Sequence, residues 1–234
     1  TLAIFLGFRN TVAYQRFWEA RTLWGELLIV SRNLTRQSLS LLAGLSREHR
    51  RDLAEGLIVF SRALKNDLRA DPQSPEIQAW IDKGHEHPGT PKSGLPNAVL
   101  GELGKRYMAA TQLVQTSPVV QADIDQQLSR LSSVLGGCER ISNTPIPYPY
   151  ILMLHRIVHI YCFLLPFCLV DTIGWFTPFA VCVLAYTFFG LDALGDQIAD
   201  PFDKQPNDLP LEAMCRTLEI SVLELLDEPA PAPL

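Results

Sequence analysis

Two apolar runs lie back to back in the C-terminal third of the chain, and they limit what it can fold into more than any other feature. Ile157 to Val170 carries no charge, and after Asp171 the run Thr172 to Leu191 is uncharged for 20 residues. About 20 apolar residues is the length of a helix that crosses a bilayer. The first run reaches that length only by starting near Tyr150 and taking in His155 and Arg156. Gly174 and Pro178 mark a tight turn, so 150–191 is predicted to form two antiparallel membrane helices. Thr1 to Phe8 (TLAIFLGF) is also apolar and then meets Arg9. Residues 1–12 therefore read as the end of a further membrane helix whose beginning lies ahead of Thr1.

The rest of the chain is helical in period, and nothing alternates as a strand would. After Phe8 the pattern continues through Val12, Phe17, Trp18, Leu23, Trp24, Leu27, Leu28 and Val30, with no strong turn signal before Gly44. A helix of about 40 residues is about 60 Å long, twice the hydrocarbon thickness, so it must run on into the cytosol. Cytosolic helices are expected over 13–143. In Arg47 to Arg69, Leu53, Leu57, Phe60 and Leu64 share a stripe. Residues 71–96 collect prolines and glycines and predict an exposed insertion, with a short helix around Ile77 to Lys83. Asn97 to Val114 and Pro118 to Glu139 are amphipathic, with Gly136-Gly137 expected to weaken the end of the second. Thr144 to Tyr150 (TPIPYPY) cannot be a helix interior. Residues 192–226 predict cytosolic C-terminal helices, and 227–234 (DEPAPAPL) a disordered tail. The fold class is all-α: an integral membrane protein whose long helices extend into a helical cytosolic domain.

Net charge is −5, which gives no support for a nucleic-acid partner. The charge is unevenly placed. Thr1 to Arg69 holds eleven Lys/Arg against six Asp/Glu, and Leu191 to Leu234 holds two against ten. The two ends can attract one another, or both can face one aqueous compartment. The Arg-rich stretch after an apolar start belongs in the cytoplasm by the positive-inside rule. The five cysteines include no CxxC pair and read as small buried hydrophobes rather than a disulfide framework.

Three motifs carry a resemblance. The first is Gly7-Phe8, Arg16-Phe17-Trp18-Glu19, Arg21 and Trp24-Gly25; the second is Thr144-Pro145-Ile146-Pro147 leading into a Tyr-rich helix with His155-Arg156. The third is Gly195-Asp196-Gln197-Ile198 followed by Asp200-Pro201-Phe202. In this order they resemble the bestrophin family of ion channels, in particular its bacterial branch. The resemblance implies a homopentamer around one pore in the bacterial inner (plasma) membrane, multi-pass, in contact with lipid and passing small inorganic ions. Animal members are chloride channels under calcium control; some bacterial members favour cations. The implied pore has a hydrophobic neck and a cytosolic exit constriction.

Ile4 and Phe8, four apart, share a helical face and take the neck positions, with Thr11 a turn further on. Rings of apolar side chains gate by dewetting, because a bare ion finds no replacement for its hydration shell. For the exit constriction, Thr144 or Ile146 projects from a stiff proline lip; spacing leaves the choice open, and a plain helix-entry loop is the alternative. Arg16, Trp18, Glu19, Arg21 and Trp24 read as structural signature, whose charges need partners below a membrane. Asp192, Asp196 and Asp200, spaced by four, are the expected partners, with Pro201 closing the motif. After Phe202 the candidate side-chain oxygens are those of Asp203, Asn207, Asp208 and Glu212, with Lys204 among them. Calcium prefers 6–8 oxygen ligands, so calcium binding is doubtful and neither a metal nor another cofactor is expected. His155 and His159, also four apart, lack the glutamate of a zinc protease motif and read as packed side chains; His85 and His87 fall in the insertion. No catalytic constellation is recognisable, so no enzyme is expected. The rival reading is a non-conducting membrane scaffold or regulator that binds a cytosolic partner.

Overall fold

The computed structural model describes residues 2–72, 74–82 and 94–234. Among these every regular element is a helix: α1 (Leu2–Ser40), α2 (Arg47–Leu68), α3 (Pro75–Asp82), α4 (Leu95–Leu113), α5 (Pro118–Asn143), α6 (Tyr148–Ile173), a 3-10 turn (Gly174–Phe176), α7 (Thr177–Ala199) and α8 (Leu211–Leu225). The chain forms two compact units, Thr1–Glu19 with Ile141–Leu209, and Ala20–Arg140 with Pro210–Leu234.

The first unit is built on α6, α7 and the start of α1. Tyr148–Ala199 is long and apolar enough to cross a membrane by length and composition. At 1.5 Å per residue, α6 and α7 measure about 39 and 35 Å. Gly174 turns the chain between them at φ +51°, a left-handed conformation that costs glycine little. The core is thin: Leu6, Val158 and Cys162, with Ala185 and Phe188 packed on it. On α6 the buried set Leu154, Val158, Cys162 and Leu165 forms one stripe, while Phe163, Phe167, Phe179 and Tyr186 stand outward and exposed. Large apolar side chains all over the outer surface belong in lipid rather than water. α7 runs unbroken past Leu191 to Ala199, so 192–199 continues the second apolar helix instead of opening a separate C-terminal block.

In the second unit α2 packs against α3, α4 and α8. Ser46 caps α2, its hydroxyl accepting from the His49 N–H at 3.3 Å. Gly56 allows close packing, since a Cβ there would lie 2.7 Å from Leu103 Cδ1. The uneven charge of the two ends resolves into contacts. Arg62 meets Glu219 at 2.8 Å, Lys65 meets Glu212, and Arg47 meets Glu228 at 2.8 Å.

Three expectations change here. α3 lies within the predicted exposed insertion, yet Ile77 and Trp80 are buried; Arg106 covers the Trp80 ring at 4.8 Å. His85, His87 and Lys83 lie outside the described residues. Gly136-Gly137 does not weaken α5, which runs on to Asn143. Leu23 packs so closely that a Cβ on Gly137 would sit 2.8 Å from its Cδ1, so tertiary contact holds the helix where propensity would not. Of the tail expected to be disordered, the first two residues are held: the Asp227 N–H donates to Glu224 O at 3.2 Å, and Glu228 pairs with Arg47 and donates its N–H to Leu223 O at 3.0 Å.

Candidate pore face and its buried charge cluster

Successive residues of a helix are turned by 100°, so α1 has distinct sides at its start. Leu6, Arg9, Ala13 and Ala20 recur at intervals of 3, 4 and 7 and are buried. On the opposite side Ile4 and Phe8 are 60% and 64% exposed, and Thr11 and Gln15 are exposed with them. The Thr11 hydroxyl donates to Gly7 O one turn back at 2.9 Å.

Behind this face lies a cluster that the chain order does not announce. The Arg9 guanidinium is fully buried and reaches two carboxylates on α7, Asp192 and Asp196. His155 on α6 meets the same two: Nδ1 faces Asp192 Oδ2, and Nε2 lies 3.2 Å from Asp196 Oδ2. Beside Arg9, Asn10 Nδ2 donates to Leu191 O at 3.1 Å. α1 and α7 touch here because residue 195 is glycine; a Cβ would lie 2.3 Å from Asn10 Oδ1. Removing one partner from a buried ion pair leaves an uncompensated charge, so such a cluster holds its helices firmly.

The signature arginines Arg16 and Arg21 are the expected partners of the aspartates, and for Arg16 the structure corrects this. Arg16 donates to backbone carbonyls: Ile141 O at 2.8 Å, Thr144 O at 2.6 Å and Ala199 O at 3.2 Å. These lie at the C-terminal ends of α5 and α7, where the last carbonyls lack helical partners and the helix dipole favours a cation. Asp200 is not a third member of the carboxylate row. It follows the end of α7, and its Oδ1 accepts from the Phe202 N–H at 3.4 Å, while Pro201 and Phe202 are buried. Of the other signature residues, Trp18 is exposed and stacks on Tyr14 at 6.4 Å, Glu19 and Arg21 are exposed, and Trp24 is buried.

Thr144 and Ile146 lie in the loop between α5 and α6, Thr144 exposed and Ile146 half-buried. The loop after α7 uses the sparse oxygens proposed for calcium in its own turn. Asp203 Oδ1 accepts from the Lys204 N–H at 2.8 Å and Asp208 Oδ2 from the Gln205 N–H at 2.6 Å. Asn207 Nδ2 donates to Gln197 Oε1 at 2.7 Å.

The sequence model of the family described as Bacterial/Fungal Bestrophin protein matches residues 1–224. The chain belongs to the bestrophin family. Its similarity to individual relatives covers nearly its whole length. A voltage-dependent anion channel-forming protein of Mesorhizobium japonicum is 41% identical over 234 residues, 99% of this chain and 74% of the relative. The voltage-dependent anion channel-forming protein YneE of Escherichia coli K12 is 40% identical over 228 residues, 97% of this chain and 74% of that one. A crystal structure of a bacterial bestrophin homolog from Klebsiella pneumoniae superposes with a TM-score of 0.89 at 37% identity, covering 97% of this chain and 84% of that one. This bestrophin is thus a helical membrane protein of an ion-channel family.

The sequence reading of this bestrophin missed Arg9, taken only as the end of an apolar run, and the tie between His155 and the aspartates. One signal was present. Arg9 is the only charge before Arg16, and a lone charge at the end of a membrane helix needs a partner inside the protein.

Proposed function

We propose that this bestrophin is one subunit of a homopentameric, multi-pass channel of the bacterial plasma membrane that passes small inorganic ions, anions among them. One observation carries the reading: a helix packed on one side by a buried charge cluster leaves Ile4 and Phe8 open on the other. Five such faces around an axis form apolar rings. Ions must shed part of their water there, which makes the rings a neck that gates by dewetting. Thr144 or Ile146 at the α5–α6 loop forms the exit constriction, held by Arg16. The relatives named as voltage-dependent anion channel-forming proteins support anion passage. The loop after α7 offers few carboxylates, and Asp203 and Asp208 each already accept a backbone N–H, which supports conduction without calcium. The function needs no cofactor and no covalent chemistry. The test is the purified protein in a planar bilayer with unequal salt on the two sides. Single-channel steps whose reversal potential moves toward the anion equilibrium potential are expected; a silent bilayer overturns the reading.

A further inference from the structure

Phe8 and Arg9 are neighbours in sequence but serve different sides of α1. The Arg9 side chain is 0% exposed and engages Asp192 and Asp196, while Phe8 stands open. Around this point α1 is tied to α7 in three ways: the ion pairs of Arg9, the Asn10 bond to Leu191 O at 3.1 Å, and the missing Cβ of Gly195. α6 joins through His155, which meets the same two carboxylates. Turning α1 by one residue step, about 100°, would carry the guanidinium off both carboxylates and part the buried charges of Arg9 and Asp192. Loss of a partner from a buried pair is strongly unfavourable, so the rotation of α1 is fixed at this level.

We propose that Arg9 is the positioning residue of the neck: through Asp192 and Asp196 it sets the rotation of α1 and thereby aims Phe8 and Ile4 at the ion path. This rests on the reading that Ile4 and Phe8 line the pore. Arg9 touches no ion. It acts through the side chain beside it; Gly195 lets α1 approach α7 at Asn10, and His155 holds the two carboxylates that hold Arg9. A neck that gates by size and dryness is sensitive to such a device, because a small rotation replaces an aromatic edge with its neighbour and changes the opening of all five subunits together.

Single-channel recording on the full-length protein tests this with Phe8→Ala, Arg9→Gln, Arg9→Lys, Asp196→Asn, Gly195→Ala and the double variant Arg9→Gln/Phe8→Ala. Assembly is checked by mass in mild detergent. Phe8→Ala is expected to raise unitary conductance. Arg9→Gln and Gly195→Ala are expected to change it by about threefold or more, with Arg9→Lys closer to the parent. In the Phe8→Ala background the Arg9→Gln effect should vanish, because no aromatic ring is left to aim. A merely structural Arg9 would lower stability yet leave conductance alone, or shift it equally in both backgrounds; either result overturns the proposal. If Phe8→Ala conducts like the parent, the neck reading falls and the proposal with it. If Arg9→Gln does not assemble, Gly195→Ala and the milder Asp196→Asn carry the test. Parent-like conductance in both, or failure of all three to assemble, overturns it.

Discussion

Ile4 and Phe8 are large apolar side chains on the open side of α1, and size is the property by which a dry ring resists ions. Ile4→Ala and Phe8→Ala should each raise unitary conductance or open probability. Every 1.4 kcal/mol removed from the barrier is worth about tenfold in rate, so a clear rise is expected in bilayer recordings. At an exposed apolar site on α7 such as Phe179 the same change should leave the current alone. Cys215 makes a different prediction. Burial pushes its thiol from 9.0 up to about 11, and its Sγ donates to Ser61 O at 3.5 Å. The folded protein therefore keeps a proton that the unfolded chain gives up above pH 9, so this contribution to stability is intact below 9 and is lost as pH rises toward 11. Tyr107, whose phenol burial pushes still higher, adds to the same alkaline loss above its ordinary value of 10.0. Denaturation followed from pH 8 to 10.5 should show falling stability, and Cys215→Ala should flatten that fall by up to about 2 kcal/mol.

At the scale of single helices, glycine marks where neighbours approach. A Cβ on Gly56 of α2 would meet Leu103 Cδ1 at 2.7 Å and Trp80 Cζ2 at 3.6 Å, and both side chains are buried with little room to retreat. Gly56→Ala should destabilise by about 1–3 kcal/mol, the usual cost of overpacking. Gly136 of α5 has nothing within 4 Å of its would-be Cβ and is exposed. Gly136→Ala should stabilise by about 1 kcal/mol through helix propensity alone. Thermal unfolding in detergent reads both, and equal signs would contradict the packing described. Arg16 belongs to this scale as well, since its bonds to Ile141 O, Thr144 O and Ala199 O gather two helix ends rather than pairing one charge with another.

At the scale of the molecule, the exposed faces of α1, α6 and α7 are too apolar for water. Lipid is expected to cover α6 and α7, and copies of the chain to enclose α1. The mass measured in mild detergent should correspond to five subunits, and a stable monomer would sink that expectation. Calcium should have no effect at this scale. Recordings at nanomolar and at high micromolar calcium should match, because the loop after α7 carries too few carboxylates for the 6–8 oxygens calcium prefers, and Asp203 and Asp208 each already accept a backbone N–H. A steep calcium response abolished by Asp203→Ala would refute this.

The amino-acid order alone determined the helical class, the apolar pair over 150–191, the continuous first helix and the attraction between a basic start and an acidic end. These follow from local rules: a 3.6-residue period, run lengths matched to a bilayer, and proline at helix ends. The bestrophin resemblance was legible for the same reason, since its motifs are contiguous. Tertiary structure decided which base meets which acid. The spacing of Asp192, Asp196 and Asp200 places them on one helix face, but the end of α7 removes Asp200, and the offset between α1 and α7 selects Arg9 over Arg16. It also decided that α3 lies over a core and that α5 passes straight through its glycine pair. Periodicity fixes where a side chain points on its own helix, whereas its partner depends on the axial shift and rotation between two helices, which only their packing sets.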